Sequence, residues 1–131
     1  MSLRIEPQLA VFLENRPGML LRICQAIAQA QINILALSVL DAVDHVIVRI
    51  VVDRPKEAEQ VLAGLHAMFQ RHDVIVMDVP NTVGALARLA ERLAASGINI
   101  EYAYCTASPT AQGGTIVLRT NDLEATINVL S

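Results

Sequence analysis

The chain has 131 residues, of which 53% are apolar, 18% charged and only 3% aromatic, and its formal net charge is −3. This length suffices for one ordinary domain or two very small ones, and the composition is that of a globular protein rather than a disordered one. The acidic balance and the singly scattered basic residues argue against a nucleic-acid-binding surface, which needs clustered lysine and arginine.

Membrane, export and metal-binding signals are also missing from the sequence. No apolar run reaches the roughly 18 residues of a membrane span, and the N-terminus lacks the charged-then-apolar order of a signal peptide. We therefore expect a soluble, cytoplasmic protein without a membrane partner. Cys24 and Cys105 are the only cysteines and, like the three histidines, stand isolated, so we expect reduced thiols and no metal site.

The first predicted elements are a strand, a turn and a helix. The strand is the aliphatic, β-branched run Gln8–Glu14. The turn Asn15–Gly18, "NRPG", can neither extend a strand nor lie inside a helix. Apolar residues then recur at helical spacing from Gly18 to Ala30, which predicts a helix with one apolar face. Asn15 or Arg16 would lie at its N-cap, and Pro17 suits its first turn.

Two strands and a second helix follow. "INILALSVLD" and "HVIVRIVV" predict strands over Ile32–Asp41 and His45–Val52, joined by a turn around Ala42–Asp44. The second helix runs from Pro55 to about Leu65 and is opened by Asp53-Arg54-Pro55.

The segment from His66 to Val79 is ambiguous, because it could be an over-long helix followed by one strand. We favour two strands, Ala67–His72 and Val74–Val79, with little between them. The first would close one folding unit, and the second would open another.

The chain contains an internal repeat, which supports this division. Glu14–Ile34 aligns with Pro80–Ile100 without a gap, and "VVDRPKEAEQVL" falls on "RTNDLEATINVL". The matched pairs are Asn15/Asn81, Gly18/Gly84, Leu20/Leu86, Arg22/Arg88, Ala28/Ala94 and the two "INI" triplets. The first copy reads strand–helix–strand–strand–helix–strand, the ferredoxin-like βαββαβ order, and the second repeats this order as far as its second helix.

The second copy is shorter than the first. It has strands in "INIEYAYCTA" and "GTIVLRT" and a helix over Asn121–Leu130, but no closing strand. We therefore predict an α+β fold of two ferredoxin-like units in tandem, residues 5–72 and 73–131, the second lacking its closing strand. The edge of Val74–Val79 would then be uncovered, and an open apolar edge predicts a homodimer that includes the second unit.

The glycine turns are the candidate ligand sites. A helix N-terminus has unsatisfied N–H groups and a partial positive charge, which together favour a carboxylate or phosphate. Gly18 and Gly84 would let a ligand approach the backbone without meeting a Cβ. Asn33 and Asn99 are polar residues in otherwise aliphatic strands, where an amide needs a partner. A cap and an ordinary turn would also account for this pattern.

With these motifs, the chain resembles the ACT domain, a small regulatory module that binds amino acids. "ENRPGML", the apolar helix and "INI" resemble the amino-acid-sensing domains of biosynthetic enzymes, and "VPNTVGALARLAERLAASGINIEYAY" resembles the second unit of stand-alone tandem ACT proteins. The resemblance implies a non-catalytic sensor without a cofactor, which binds a free amino acid between ACT units and signals to a partner, such as an enzyme.

The same resemblance implies which residues would contact the amino acid. The turn would supply one set of contacts, and the second strand of a neighbouring unit would supply the other. The implied turn residues are Asn15, Pro17, Gly18, Met19, Leu20, Asn81, Gly84, Ala85 and Leu86. The implied strand residues are Asn33, Ile34, Leu35, Asn99, Ile100 and Glu101. Because Val83 stands where the first turn has Pro17, the second turn is expected to be less preorganised.

Three other functions are compatible with parts of the sequence. The first unit also resembles the start of the acetolactate synthase small subunit, a dedicated regulatory subunit, although a second ACT-like copy argues against that assignment. An enzyme could use Ser38, Asp41, Asp44 and His45 near one strand junction, but polar residues are expected in a β-turn anyway.

The third alternative is an RNA-binding domain of the same topology. Such a domain needs stacking aromatic residues on its sheet. The two middle strands have none, although Tyr102 and Tyr104 share one face of a neighbouring strand.

Overall fold

The structure is a computed structural model that describes residues 3–107 and 110–131. It contains two compact units. The first unit is Pro7–His72, and the second combines residues 3–6 with Asp73–Ser131. The elements in chain order are β1 (Leu3–Glu14), α1 (Met19–Gln29), β2 (Ile34–Asp41), β3 (His45–Val52), α2 (Pro55–Gly64), β4 (Met68–Pro80), α3 (Ala85–Ala95), β5 (Ile100–Thr106), β6 (Gly113–Thr120) and α4 (Leu123–Leu130).

The first unit has the strand order β2-β3-β1-β4. β1 and β3 pair antiparallel from Leu9 opposite Ile50 to Glu14 opposite His45. The apolar stripe of α1 packs on this sheet through Ile23 and Ile27, each 1% exposed. Full burial of such a side chain stabilises the fold by about 1.5–3 kcal/mol, so these two positions hold the helix in place.

The second unit has the order β1-β4-β6-β5, in which β1 contributes residues 3–6. β4 pairs antiparallel with β6, from Ile75 opposite Leu118 to Pro80 opposite Gly113. The core of this unit includes Leu89 and Leu93 of α3, and Leu3 packs against it.

The predicted α+β fold of two βαββαβ-type units is therefore confirmed, and α4 is the last element, as predicted. The place of a closing strand beside β4 is taken by residues from the start of the chain. The first unit was predicted to begin at residue 5, but residues 5 and 6 group with the second unit. Local sequence patterns carry no information about such a long-range pairing.

Two further expectations about β4 were wrong. The two predicted strands Ala67–His72 and Val74–Val79 form one continuous strand, whose halves belong to different units. The second half is no open edge, because β4 lies between β1 and β6 and the run from Val74 to Met77 is buried. β4 therefore offers no open edge through which the predicted homodimer could form.

No helix among the described residues is long and apolar enough to cross a membrane. No group of three or more His, Cys, Asp or Glu side chains within residues 3–107 and 110–131 is arranged to hold a metal ion.

Candidate ligand-binding turns

The two glycine turns have the same backbone geometry. Gly18 is the N-cap of α1 with φ +89° and ψ −9°, and Gly84 is the N-cap of α3 with φ +84° and ψ 0°. This left-handed conformation is disfavoured for residues with a Cβ, which explains a glycine at both positions. Val83 stands in place of Pro17, and the glycine dihedrals of the two turns are almost the same.

Both helices begin without a side-chain cap. The first intrahelical hydrogen bonds are donated by the Arg22 N–H to Gly18 O and by the Arg88 N–H to Gly84 O, each at 3.0 Å. The N–H groups of the first helical turn have no intrahelical acceptor, although the Ala85 N–H donates to Thr82 O at 3.2 Å. In contrast, the Asp122 carboxylate accepts a hydrogen bond from the Ala125 N–H and caps α4. The glycine turns thus present uncapped helix starts.

In the first unit, the asparagine of the turn is a tether rather than a helix cap. The Asn15 amide Nδ2 donates to Val43 O at 3.0 Å and to Asp41 Oδ1 at 3.2 Å. Its backbone N–H donates to Asp44 O at 3.3 Å. These bonds hold the turn against the β2–β3 loop. Asn15 was expected at the N-cap of α1, but its amide makes these contacts instead.

Asn81 has the same function in the second unit. Its Nδ2 donates to Ala111 O at 2.8 Å, and its N–H donates to Gln112 O at 3.0 Å. The recurrence of the bonding, and not only of the residue, shows that each turn is held against the hairpin loop of its own unit.

A cleft of about 100 Å³ adjoins the turn of the second unit. We call it the turn cleft. Its lining residues are Val79, Pro80, Asn81, Thr82, Ala85, Leu86, Cys105, Thr106, Ala107 and Gly114. The prediction named Asn81, Ala85 and Leu86 among these. Gly84 lies beside the cleft, and Arg88 Nη1 is 2.9 Å from where a Cβ on Gly84 would be.

The predicted turn and strand residues of one unit lie at opposite ends of its sheet. In the first unit, Glu14 is opposite His45 and Ile34 is opposite Val52, the two ends of β3. At 3.4 Å per residue, that separation is roughly 24 Å. The same holds in the second unit, where Pro80 and Ile100 are opposite the two ends of β6. The two sets within one unit cannot contact one small ligand.

Asn33 and Asn99 were predicted to lie inside strands, but they are exposed residues that immediately precede β2 and β5. The Asn33 N–H donates to Asp53 Oδ1 at 3.0 Å and its carbonyl accepts from the Asp53 N–H at 3.1 Å. Asn99 makes the corresponding pair with Asn121. These contacts join the loops before β2 and α2, and before β5 and α4.

Sequence reasoning missed Thr82, Cys105, Thr106, Gly114 and Arg88. Thr82 belongs to the turn itself, and Cys105, Thr106 and Gly114 line the turn cleft because the end of β5 and the start of β6 return to the turn. An antiparallel register drawn from the predicted strands would have brought these residues to the turn. Arg88 follows from the helical spacing of Gly84 and Arg88.

Of the polar residues that could form a catalytic group, Asp41 has structural contacts. Asp41 Oδ1 accepts hydrogen bonds from the Asn15 amide and, at 2.8 Å, from the Val43 N–H. Val43 itself has φ +71° and is 80% exposed, an uncommon conformation for a β-branched residue.

The family model for the ACT domain pair matches residues 4–131. The chain therefore belongs to the ACT-domain-pair family. Membership supports a regulatory, small-molecule-sensing role. No curated protein sequence is detectably similar to the chain.

Several solved structures are similar over almost the whole chain. A protein from Bacteroides thetaiotaomicron shares 33% sequence identity with a TM-score of 0.91, covering 98% of this chain and 88% of that one. The ligand-free regulatory subunit of aspartate kinase from Thermus thermophilus shares 15% identity with a TM-score of 0.71, covering 99% and 95%. The corresponding Thermus flavus subunit shares 17% identity with a TM-score of 0.63, covering 99% and 95%. At these identities, the two Thermus structures are similar to this chain in fold alone.

Proposed function

We propose that this protein is a non-catalytic sensor that binds a free α-amino acid at its glycine turns and signals to a partner, such as an enzyme. The observation that carries the proposal is the repeated turn: a left-handed glycine followed by a helix start without a side-chain cap. Such a helix start favours an anionic group, and in a free amino acid that group is the carboxylate.

The turn cleft supports the proposal for the second unit. It joins apolar wall residues, such as Leu86, to hydroxyl and amide groups of Thr82, Thr106 and Asn81. Hydroxyl and amide groups can bind the ammonium and carboxylate of an amino acid, while the apolar wall accepts its side chain. The Arg88 guanidinium beside Gly84 adds positive charge next to the helix start.

The predicted strand residues enter the proposal in a different way. Because Asn33, Ile34 and Leu35 lie far from Gly18 in their own unit, we propose that they reach a ligand bound to a second copy of the chain. The same applies to Asn99, Ile100 and Glu101.

We also propose that the chain forms a homodimer, which pairs through the edge strand β2. β2 is the terminal strand of the order, and β3 is its neighbour there. Leu35, Leu37 and Val39 alternate along it and are 46%, 41% and 47% exposed. An exposed apolar edge strand is a site for strand pairing, and a second copy offers the same row in a two-fold arrangement.

A thermal-shift screen of the twenty amino acids tests the sensor function. A ligand at 100 times its dissociation constant stabilises the folded chain by about 2.7 kcal/mol, which is readily measured. The matched control for each hit is its carboxamide, which keeps the side chain and loses the carboxylate. We expect the acid to stabilise and the carboxamide not to; equal stabilisation by both would contradict carboxylate binding at the turns.

A further inference from the structure

A second cleft in the second unit lies along α3 and differs in character from the turn cleft. It has a volume of about 230 Å³ and is lined by Met77, Val79, Pro80, Ala85, Arg88, Leu89 and Arg92. We call it the α3 cleft. Its inner wall is formed by aliphatic and thioether side chains, and two guanidinium groups one helical turn apart border it.

Each of the two guanidinium groups uses only part of its N–H donors in its hydrogen bonds to the described residues. Arg88 Nη1 donates to Val83 O at a long 3.5 Å, and Arg92 Nη2 donates to Val129 O. Among the described residues, neither guanidinium forms an ion pair within 4.0 Å. A guanidinium has five N–H donors, and two of these in parallel match a carboxylate.

In the first unit, the chain itself supplies the groups that face the corresponding arginine. Arg22 is the repeat partner of Arg88, and its Nη2 donates to the Leu65 carbonyl oxygen at 3.2 Å. Leu65 and Ala67, on either side of His66, pack against the core of that unit. Arg22 therefore donates to an oxygen acceptor, and the apolar residues next to that acceptor pack on the core. In the described part of the second unit, the space facing Arg88 is the open α3 cleft.

We propose that the α3 cleft binds a small aliphatic monocarboxylate, with its chain on Met77 and Leu89 and its carboxylate on Arg88 and Arg92. The volume is below the roughly 300–1,000 Å³ of sites for drug-sized ligands, so the occupant is a short chain. Charge complementarity selects an acid over an alcohol or an amine. The α3 cleft adjoins the turn cleft and shares Val79, Pro80 and Ala85 with it, whereas Met77, Leu89 and Arg92 line the α3 cleft and not the turn cleft.

Titration with hexanoate, followed by ¹H–¹⁵N spectra of the whole chain, tests the proposal. We expect hexanoate to cause saturable chemical-shift changes of the Leu89 and Arg92 amide signals. Hexan-1-ol should bind at least tenfold more weakly, and hexylammonium should not bind. Arg92→Gln should weaken hexanoate binding about tenfold, the loss expected from one charge-assisted bond. The matched control is Arg22→Gln, which changes the corresponding arginine of the other unit and should bind hexanoate normally.

Amino-acid binding, measured in parallel, separates this site from the turns. Arg92→Gln should keep the affinity for the amino acid, whereas Cys105→Phe, which fills the turn cleft, should lose it and keep hexanoate. Failure of wild-type protein to bind hexanoate, equal binding of hexan-1-ol, or unchanged binding by Arg92→Gln would each overturn the proposal.

Discussion

Gly18 is the residue where the proposed ligand and the backbone meet most directly. Its φ of +89° is left-handed, and a Cβ built there meets nothing within 4 Å. An added side chain would therefore strain the backbone without a steric clash. We expect Gly18→Asp to fold and to cost about 1 kcal/mol of unfolding free energy, because asparagine and aspartate tolerate this region best.

The same substitution should abolish amino-acid binding at the first turn, because the new carboxylate repels or replaces that of the ligand. The control is Gly18→Asn, which has the same shape and no charge. Calorimetric titration should show the Asn variant binding far better than the Asp variant. If the Asp variant binds as wild type does, the ligand lies elsewhere.

Val43 offers a stability test in the neighbouring loop. It is 80% exposed at φ +71°, so it contributes little packing and carries backbone strain. Val43→Asn should raise the unfolding free energy by about 1 kcal/mol, since asparagine tolerates the left-handed region. Denaturant unfolding measures this, with Val83→Asn as the control. Val83 is fully exposed and is not among the positive-φ residues, so no gain is expected there.

At the scale of elements, the start of β1 serves the second unit. Leu3 packs against that core, and β1 neighbours β4. Removing residues 1–6 should expose the β4 edge and speed hydrogen exchange of alternate amides between Asp73 and Pro80. Amides of β3 provide the internal reference and should change less. Unchanged protection of β4 would show that residues 3–6 do not pair with it.

The proposed homodimer forms through the edge strand β2. Leu37→Lys places a charge in the middle of the exposed apolar row and should convert a dimer into a monomer, because edge charges oppose strand pairing. Leu21→Lys is the matched control, since Leu21 is 58% exposed on α1. Light scattering at micromolar concentration decides: a monomeric wild-type chain, or a dimer that withstands Leu37→Lys, would remove β2 as the interface.

For the whole molecule, sequence patterns sufficed for the repeat, the helices and both hairpins, because local periodicity and turn chemistry determine those elements. The β2–β3 turn and the start of α2 at Pro55 agree with prediction. The strand β4 was divided wrongly, because its charged middle, Arg71–Asp73, resembles a turn. The pairing of β1 with β4 joins distant parts of the chain and leaves no local trace.

The candidate site was predicted only in part, for a similar reason. Gly18, Gly84 and the two helix starts could be identified locally, whereas Cys105, Thr106 and Gly114 join the turn cleft through strand register. The contacts of Asn15 with Asp41 and Val43 also depend on the hairpin loop returning to the turn. An asparagine before a helix suits a cap and a tether equally well, so the sequence alone could not choose between them.

The central claim is that the chain binds a free α-amino acid through the carboxylate at its glycine turns. Isothermal titration of the wild-type chain with each of the twenty amino acids tests it most directly. The account predicts saturable heat from at least one of them, and loss of that heat when both Gly18→Asp and Gly84→Asp are present. No heat from any of the twenty, or an unchanged isotherm in the double variant, would contradict it.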